Sequence, residues 1–254
     1  MDFGLLNKGA LVMASSKGLG KAVALELAKE GCNVVICGRH NNTLKNTSEE
    51  ITSESGRECF YVQGDLTSEN DRKRILSYAK LKTKSIDILV TNSGGPKPGY
   101  FDDHDNEDWS DAYSLLIEST VSMIRGVLPD MKERNWGRII AITSQAVKQP
   151  VEGLILSNSI RSAILGLVKT LSIELGKYNI TVNNVLPGYT LTDRLENLIR
   201  QTGTSLEDIS VNVPLKRVGL PNEFAAAVTF LASEKASYIT GVSLPIDGGW
   251  IKGI

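Results

Sequence analysis

The sequence is short of cysteine, of net charge and of long apolar runs, and each shortage narrows what the chain can be. Its three cysteines, Cys32, Cys37 and Cys59, have no C-x-x-C spacing, which argues against a zinc site and a disulfide framework and leaves them as small buried hydrophobes. A formal net charge of -1, from 28 Lys and Arg against 29 Asp and Glu, gives no electrostatic case for nucleic acid or an anionic membrane as a partner. No window approaches a membrane-spanning apolar run, and residues 1–9 lack the charged and apolar regions of a signal peptide, so a cytoplasmic location is expected. Internal repeats and low-complexity linkers are missing too, so a single domain over residues 1–254 is expected.

What the sequence does have is alternation. Apolar runs of strand length alternate with amphipathic helical stretches, which points to an α/β fold whose parallel sheet is covered on both faces. After a first apolar run beginning at Lys8, strands are expected at 33–38, 58–65, 86–90, 137–144, 180–188 and 241–246. Helices are expected at 18–30, 42–53, 70–81, 108–134, 154–177 and 222–232, with Gly31 closing the first. Residues 96–100, Pro-Lys-Pro-Gly-Tyr, read as a turn, and 189–218, with little strand signal, as a substrate-covering lid. The helices at 108–134 and 154–177 look too apolar to be exposed on one side, so a homo-oligomer is expected.

The first strand runs into Ala14-Ser15-Ser16-Lys17-Gly18-Leu19-Gly20 and then a helical pattern. Glycines at 18 and 20 let the backbone approach a phosphate at a helix N-terminus, where free N–H groups and the helix dipole attract negative charge. A turn of this composition also serves packing alone. Arg39 ends the second strand nineteen residues after Gly20, where a dinucleotide fold reads the adenosine ribose with an acid for a free 2′-hydroxyl or a basic residue for a 2′-phosphate. No acid stands there, so NADP(H) is expected over NAD(H), with Arg39 and Lys17 flanking the phosphate. In the acidic run Asp102-Asp103-His104-Asp105 the candidate ligands are too close together to converge on one ion, and no metal is expected.

The glycine loop, Asp65, Thr91-Asn92-Ser93-Gly94, Ser144, Pro187-Gly188 and Asp247-Gly248-Gly249 fall in an order and spacing that resembles the short-chain dehydrogenase/reductase family across essentially the whole chain. The branch most similar is that of β-ketoacyl-carrier-protein reductases. Ala14 stands where the family loop has its first glycine, and Thr91 and Ser93 replace the first Asn and the Ala of its N-N-A-G motif. The resemblance implies a Rossmann fold with a doubly wound, seven-stranded parallel sheet, a carbonyl or alcohol substrate, and assembly as a dimer or tetramer. It also implies a cofactor site made by Ser15, Ser16, Lys17, Gly18, Leu19, Gly20, Arg39, Asp65, Leu66, Asn92, Gly94, Arg161, Pro187 and Gly188.

The same resemblance implies a catalytic Ser, a Tyr thirteen residues later, a Lys four beyond that, and an Asn from the preceding long helix. Ser144 is present, but Ser157 occupies the Tyr position, Arg161 the Lys position and Leu116 the Asn position. The chemistry changes with them. A phenol of pKa ~10 is brought toward neutrality by an adjacent cation, whereas an aliphatic alcohol is far less acidic and shorter by a ring. Guanidinium positions by hydrogen bonding but does not relay a proton. Leu116 cannot hold the water of the family's proton chain. Catalytic roles therefore fall to Ser144, Ser157 and Arg161, and three readings remain open. These are a working NAD(P)-dependent oxidoreductase, an NADP(H)-binding sensor or partner subunit without redox chemistry, and a different reaction such as that of a lyase or isomerase. Tyr189, Lys148, Tyr113 and His104 are further candidates for handling the proton, and each also has a plain surface or packing reading.

Overall fold

Strands rich in Val, Ile and Leu and buried on both faces need partners on each side, and the computed structural model supplies them; it describes residues 1–253, apart from the side chains at 201 and 202. The strands are β1 (Gly9–Val12), β2 (Asn33–Gly38), β3 (Cys59–Gln63), β4 (Ile88–Thr91), β5 (Gly137–Ile142), β6 (Ile180–Pro187) and β7 (Ser243–Ile246). They pair in parallel in the order β3-β2-β1-β4-β5-β6-β7, so the expected seven-stranded doubly wound sheet is what forms. The helices are α1 (Gly18–Lys29), α2 (Asn41–Ser55), α3 (Glu69–Thr83), α4 (Asn106–Tyr113), α5 (Ser119–Glu133), α6 (Ile155–Leu175), α7 (Asp193–Thr202), α8 (Leu206–Val211) and α9 (Pro221–Ala232).

Alternate strand residues feed two separate cores, as the period of two requires. Ala10 and Val12 of β1 join Val23 and Leu27 of α1 and Phe224 and Val228 of α9 on one face. Leu11 and the following Met13 join Ile75 of α3, Met123 and Val127 of α5, and Ile164 and Val168 of α6 on the other. Each of these side chains larger than alanine contributes about 1.5–3 kcal/mol by leaving water. The strand order reverses between β1 and β4, so their outgoing loops part and leave a crevice at the strands' C-terminal ends.

One stretch differs from the sequence expectation and a second gains elements that the expectation did not name. The helix expected at 108–134 begins at Asn106 and is interrupted by a π turn at Ser114–Glu118 between α4 and α5. Its apolar spacing runs through the insertion, which hides it from periodicity. Ser119 Oγ and Thr120 Oγ1 donate to the carbonyls of Leu115 (2.6 Å) and Leu116 (2.8 Å), helping satisfy backbone that the wider turn disturbs. The region 189–218 holds α7 and α8, started by Thr192 and by a Ser205–Asp208 capping box. The cysteines are free and buried as expected, and burial pushes each thiol up to about 12. Among the described residues no helix is long and apolar enough to cross a membrane, and no cluster of His, Cys, Asp and Glu is arranged to hold a metal.

Candidate active site

The crevice is lined first by the loop from β1 to α1. Ala14 takes φ 46°, the left-handed conformation that the family's glycine would adopt without a Cβ penalty, and Gly18 takes φ 55°. Ser15 is fully buried and turned inward: its Oγ donates to the Val12 carbonyl (2.6 Å) and accepts from Cys37 N–H (3.2 Å), fastening the loop to β2. A Cβ on Gly20 would lie 2.7 Å from the Ala14 carbonyl oxygen and 3.0 Å from Asn92 Nδ2, so only glycine lets α1 start this close to the loop. Lys17 occupies the N-cap with no side-chain cap, and no acid stands in the first turn of α1. By contrast α3, α4, α7 and α8 are each capped by their own Ser, Asp or Thr side chain. The positive end of α1 is thus left for an external anion, and the loop fits a pyrophosphate.

Around this cradle the other expected cofactor residues divide into braces and open groups. Asn92, just past β4, donates to the Ala14 carbonyl (3.1 Å) and ties the two loops together. Asp65, just past β3, accepts from the Thr67 backbone N–H (2.9 Å) and hydroxyl (2.8 Å), and these bonds hold its carboxyl below the usual range. Leu66 is buried in the core and Leu19 packs against the core on the other face. Ser16 lends its carbonyl to Thr47 Oγ1 (2.8 Å). Gly188 follows Pro187 at the end of β6, where a Cβ would lie 2.5 Å from Asp247 Cα. Gly94 faces open space, with nothing within 4 Å of a would-be Cβ. Arg39 is exposed at the end of β2, and its guanidinium has no ion pair among the described residues. Lys17 does not join it. Its Nζ lies 3.3 Å from Asp193 at the start of α7, and both side chains are exposed.

The positions expected to be catalytic lie on the β5 and α6 side. Ser144 sits two residues past β5, where its Oγ accepts from Ala146 N–H (3.1 Å) and its own proton is left to point elsewhere. Ser157 and Arg161 are one turn apart on α6 and buried, at 4% and 7% exposure. Arg161 donates to the carbonyls of Gly94 (3.1 Å) and Ile142 (3.4 Å), joining the β4 loop to the end of β5. Burial lowers its guanidinium to about 9, with a second contribution from the charge of Arg194. Leu116 belongs to the π turn, and with Thr91, Ser93, Thr120, Thr143 and Arg161 it lines a small cavity beside the site. The π turn thus presents an apolar, buried side chain at the position where the family has Asn.

The other proton-handling candidates are placed less favourably. Tyr189 packs edge-on against Trp250, 5.9 Å between ring centroids, and burial pushes its phenol up, away from neutrality. Lys148 and Tyr113 are exposed. His104 Nδ1 meets Asp108 Oδ2 (3.2 Å) within the loop and helix that follow β4.

Three contributors escaped the sequence reading. Thr192, the N-cap of α7, stands 3.6 Å from a would-be Gly18 Cβ, so α7 begins against the glycine loop. Gln145 buries an Oε1 without a hydrogen-bond partner among the described residues, 3.1 Å from a would-be Gly188 Cβ. Arg194 lays its guanidinium across Gly95. The capping threonine before an amphipathic run was a readable signal for α7; nothing in the sequence points Arg194 at Gly95.

A family model described as Enoyl-(Acyl carrier protein) reductase matches residues 13–251. The NADPH-dependent reductase BacG of Bacillus subtilis (strain 168) is 34% identical over 254 residues, covering 96% of this chain and 98% of that one. The 3-oxoacyl-(acyl-carrier-protein) reductase FabG of Staphylococcus epidermidis is 31% identical over 245 residues, covering 96% of this chain and 99% of that one. The crystal structure of L-sorbose reductase from Gluconobacter frateurii, complexed with NADPH and L-sorbose, superposes with a TM-score of 0.94 at 30% identity, with both chains covered completely at 100%. With the family's sheet order, its glycine turn and its serine after β5 all in place, the chain belongs to the short-chain dehydrogenase/reductase family of NAD(P)-dependent oxidoreductases.

Proposed function

We propose that this protein is an NADP(H)-dependent reductase of activated carbonyls, in which positioning drives hydride transfer and no phenol supplies the proton. The observation that carries the reading is Arg161. From the face of α6 that also bears Ser157, it fastens the Gly94 carbonyl (3.1 Å) and so joins the catalytic side of the crevice to the loop beside the glycine turn. Bound NADPH supplies a hydride. Arg39 meets the 2′-phosphate at the open end of β2, while the α1 N-terminus holds the pyrophosphate. Ser144 and Ser157 donate hydrogen bonds to the substrate carbonyl as neutral groups, and water delivers the proton. Neutral donors stabilise developing oxyanion charge less than an acid does, which favours dicarbonyls and quinones over ordinary ketones. Residues 189–218 act as the lid; the contacts of Thr192 with Gly18 and of Lys17 with Asp193 support that role.

The buried Leu116 and the missing phenol favour a second reading, an NADP(H)-binding protein without redox chemistry. The two are separated by following NADPH absorbance against a panel of dicarbonyls, quinones and ketones, with NADPH binding measured by fluorescence. The reductase reading expects slow turnover of the activated carbonyls, lowered in Ser144→Ala. Tight NADPH binding with no turnover of any member would support the sensor.

The same proposal includes a homo-oligomer. Ala163, Gly166, Thr170 and Ile173 share the outer face of α6 and are all exposed, Ile173 at 76%, while β7 is a half-buried sheet edge. Sedimentation at micromolar concentration should give a mass above one chain; a monomer there would refute it.

A further inference from the structure

Arg194 is the second residue of α7, and its position has a consequence that depends on the reductase reading above. A Cβ on Gly95 would lie 1.4 Å from Arg194 Nη1, 1.9 Å from Cζ and 2.0 Å from Nη2, so the guanidinium rests on the bare peptide of that glycine. The neighbouring carbonyl, that of Gly94, accepts from Arg161 Nη2 (3.1 Å). Two guanidinium groups from different elements, α6 and α7, therefore reach successive peptide units of the β4 loop.

Neither cation has a carboxylate partner among the described residues. Arg161 spends its hydrogen bonds on two carbonyl oxygens. Arg194 has no ion pair or hydrogen bond to a described residue, and the acid beside it in sequence, Asp193, lies 3.3 Å from Lys17 instead. Surrounding atoms push both guanidiniums below their ordinary range, and the charge of Arg194 adds to that push on Arg161. Crowding two like charges without a counter-charge is costly, and an anionic ligand would complete the arrangement. Arg161 is buried, whereas Arg194 keeps one side in solvent, which leaves a way in. A guanidinium presents its donors as a planar fork that matches a carboxylate.

We infer that Arg194, lying on Gly95 beside Arg161, holds a carboxylate of the substrate and so selects oxo acids over neutral carbonyl compounds. The cofactor's phosphates are the other source of negative charge, but the cradle for them is the loop at Gly18 and the free end of α1. Arg194 stands beyond Gly94, next to the arginine that lies one turn from Ser157.

The test uses the full-length protein loaded with NADPH and reads ligand binding from the change in nicotinamide fluorescence. The probes are 2-oxobutyrate, acetoacetate and levulinate, each beside its methyl ester, so that charge is varied at three spacings from the carbonyl. At least one acid should bind roughly tenfold to a hundredfold tighter than its ester, the range of a charge-assisted hydrogen bond. Arg194→Gln should erase that difference, Arg194→Lys should keep part of it, and NADPH affinity should stay within about twofold in both. Gly95→Ala is an independent check: its methyl group displaces a flexible side chain tip, so the fold is kept while the acid preference falls. Equal binding of every acid and ester would overturn the inference, as would loss of NADPH affinity in Arg194→Gln as large as the loss of acid binding, which would assign the arginine to the cofactor's phosphates. Acids that bind by this pattern while neither they nor the dicarbonyls and quinones are reduced would leave the carboxylate site standing and remove the reductase reading alone.

Discussion

The two sides of the crevice are built alike and equipped differently. On the side of β1, β2 and β3, backbone dominates: a left-handed residue at 14, a glycine that must be glycine at 20 and an uncapped helix start make a cradle whose shape depends on few side chains. On the side of β5 and α6, function depends on side-chain chemistry, and there the groups at the Tyr, Lys and Asn positions are Ser157, Arg161 and Leu116. Arg161 still donates hydrogen bonds there and Leu116 sits in a π turn, but none of the three side chains is a tunable acid. The difference teaches that a fold preserves cofactor geometry through its backbone, whereas the reaction it runs is decided by a handful of replaceable side chains.

The comparison breaks most completely at Gly20. Gly20→Val would force branched carbon into the Ala14 carbonyl, 2.7 Å from the ideal Cβ. It should cost about 1–3 kcal/mol of stability. NADPH binding should fall by roughly a hundredfold or more, at ~1.4 kcal/mol per decade. Fluorescence titration beside a denaturant curve separates the two effects; unchanged NADPH affinity would show that the cradle lies elsewhere. Arg39→Asp should act on one contact only, lowering the preference for NADPH over NADH by roughly tenfold to a hundredfold, the worth of a charge-assisted bond. Calorimetry giving equal NADPH and NADH affinities in the native protein would count against Arg39 as the phosphate contact. The smallest effect belongs to Ala14→Gly. Relief of a left-handed alanine at ~1–2 kcal/mol, less ~0.5–1 kcal/mol for glycine's added unfolded freedom, should raise stability by up to about 1.5 kcal/mol. A lower denaturant midpoint would mean that the alanine is not strained.

Much of the fold was legible because strand burial and helix periodicity are local properties. The run from Asn33 to Gly38 is a buried strand wherever the chain goes next, and Gly31 closes α1 as expected. The π turn was not legible, because one extra residue in a helix leaves the apolar spacing nearly intact. Helices α7 and α8 were read only as a lid, although Thr192 and the Ser205–Asp208 pair are ordinary capping signals. In the site, the positions of Ser144, Ser157 and Arg161 followed from the resemblance to the family's pattern, carried over in register. That Ser15 is a brace, that Lys17 turns to Asp193, and that Arg194 crosses Gly95 are facts of three-dimensional approach, and no spacing encodes them.

The central claim is that this crevice positions a carbonyl for hydride transfer without a tunable proton donor. It is tested most directly by the NADPH oxidation rate of the native protein beside that of the Ser157→Tyr, Arg161→Lys double variant, on one activated dicarbonyl. A positioned general acid contributes about 10²–10⁴-fold, so the native protein should turn over slowly but measurably, and the double variant should be faster by at least roughly tenfold. A native protein that binds NADPH, turns over nothing, and gains activity only in the double variant would contradict the claim.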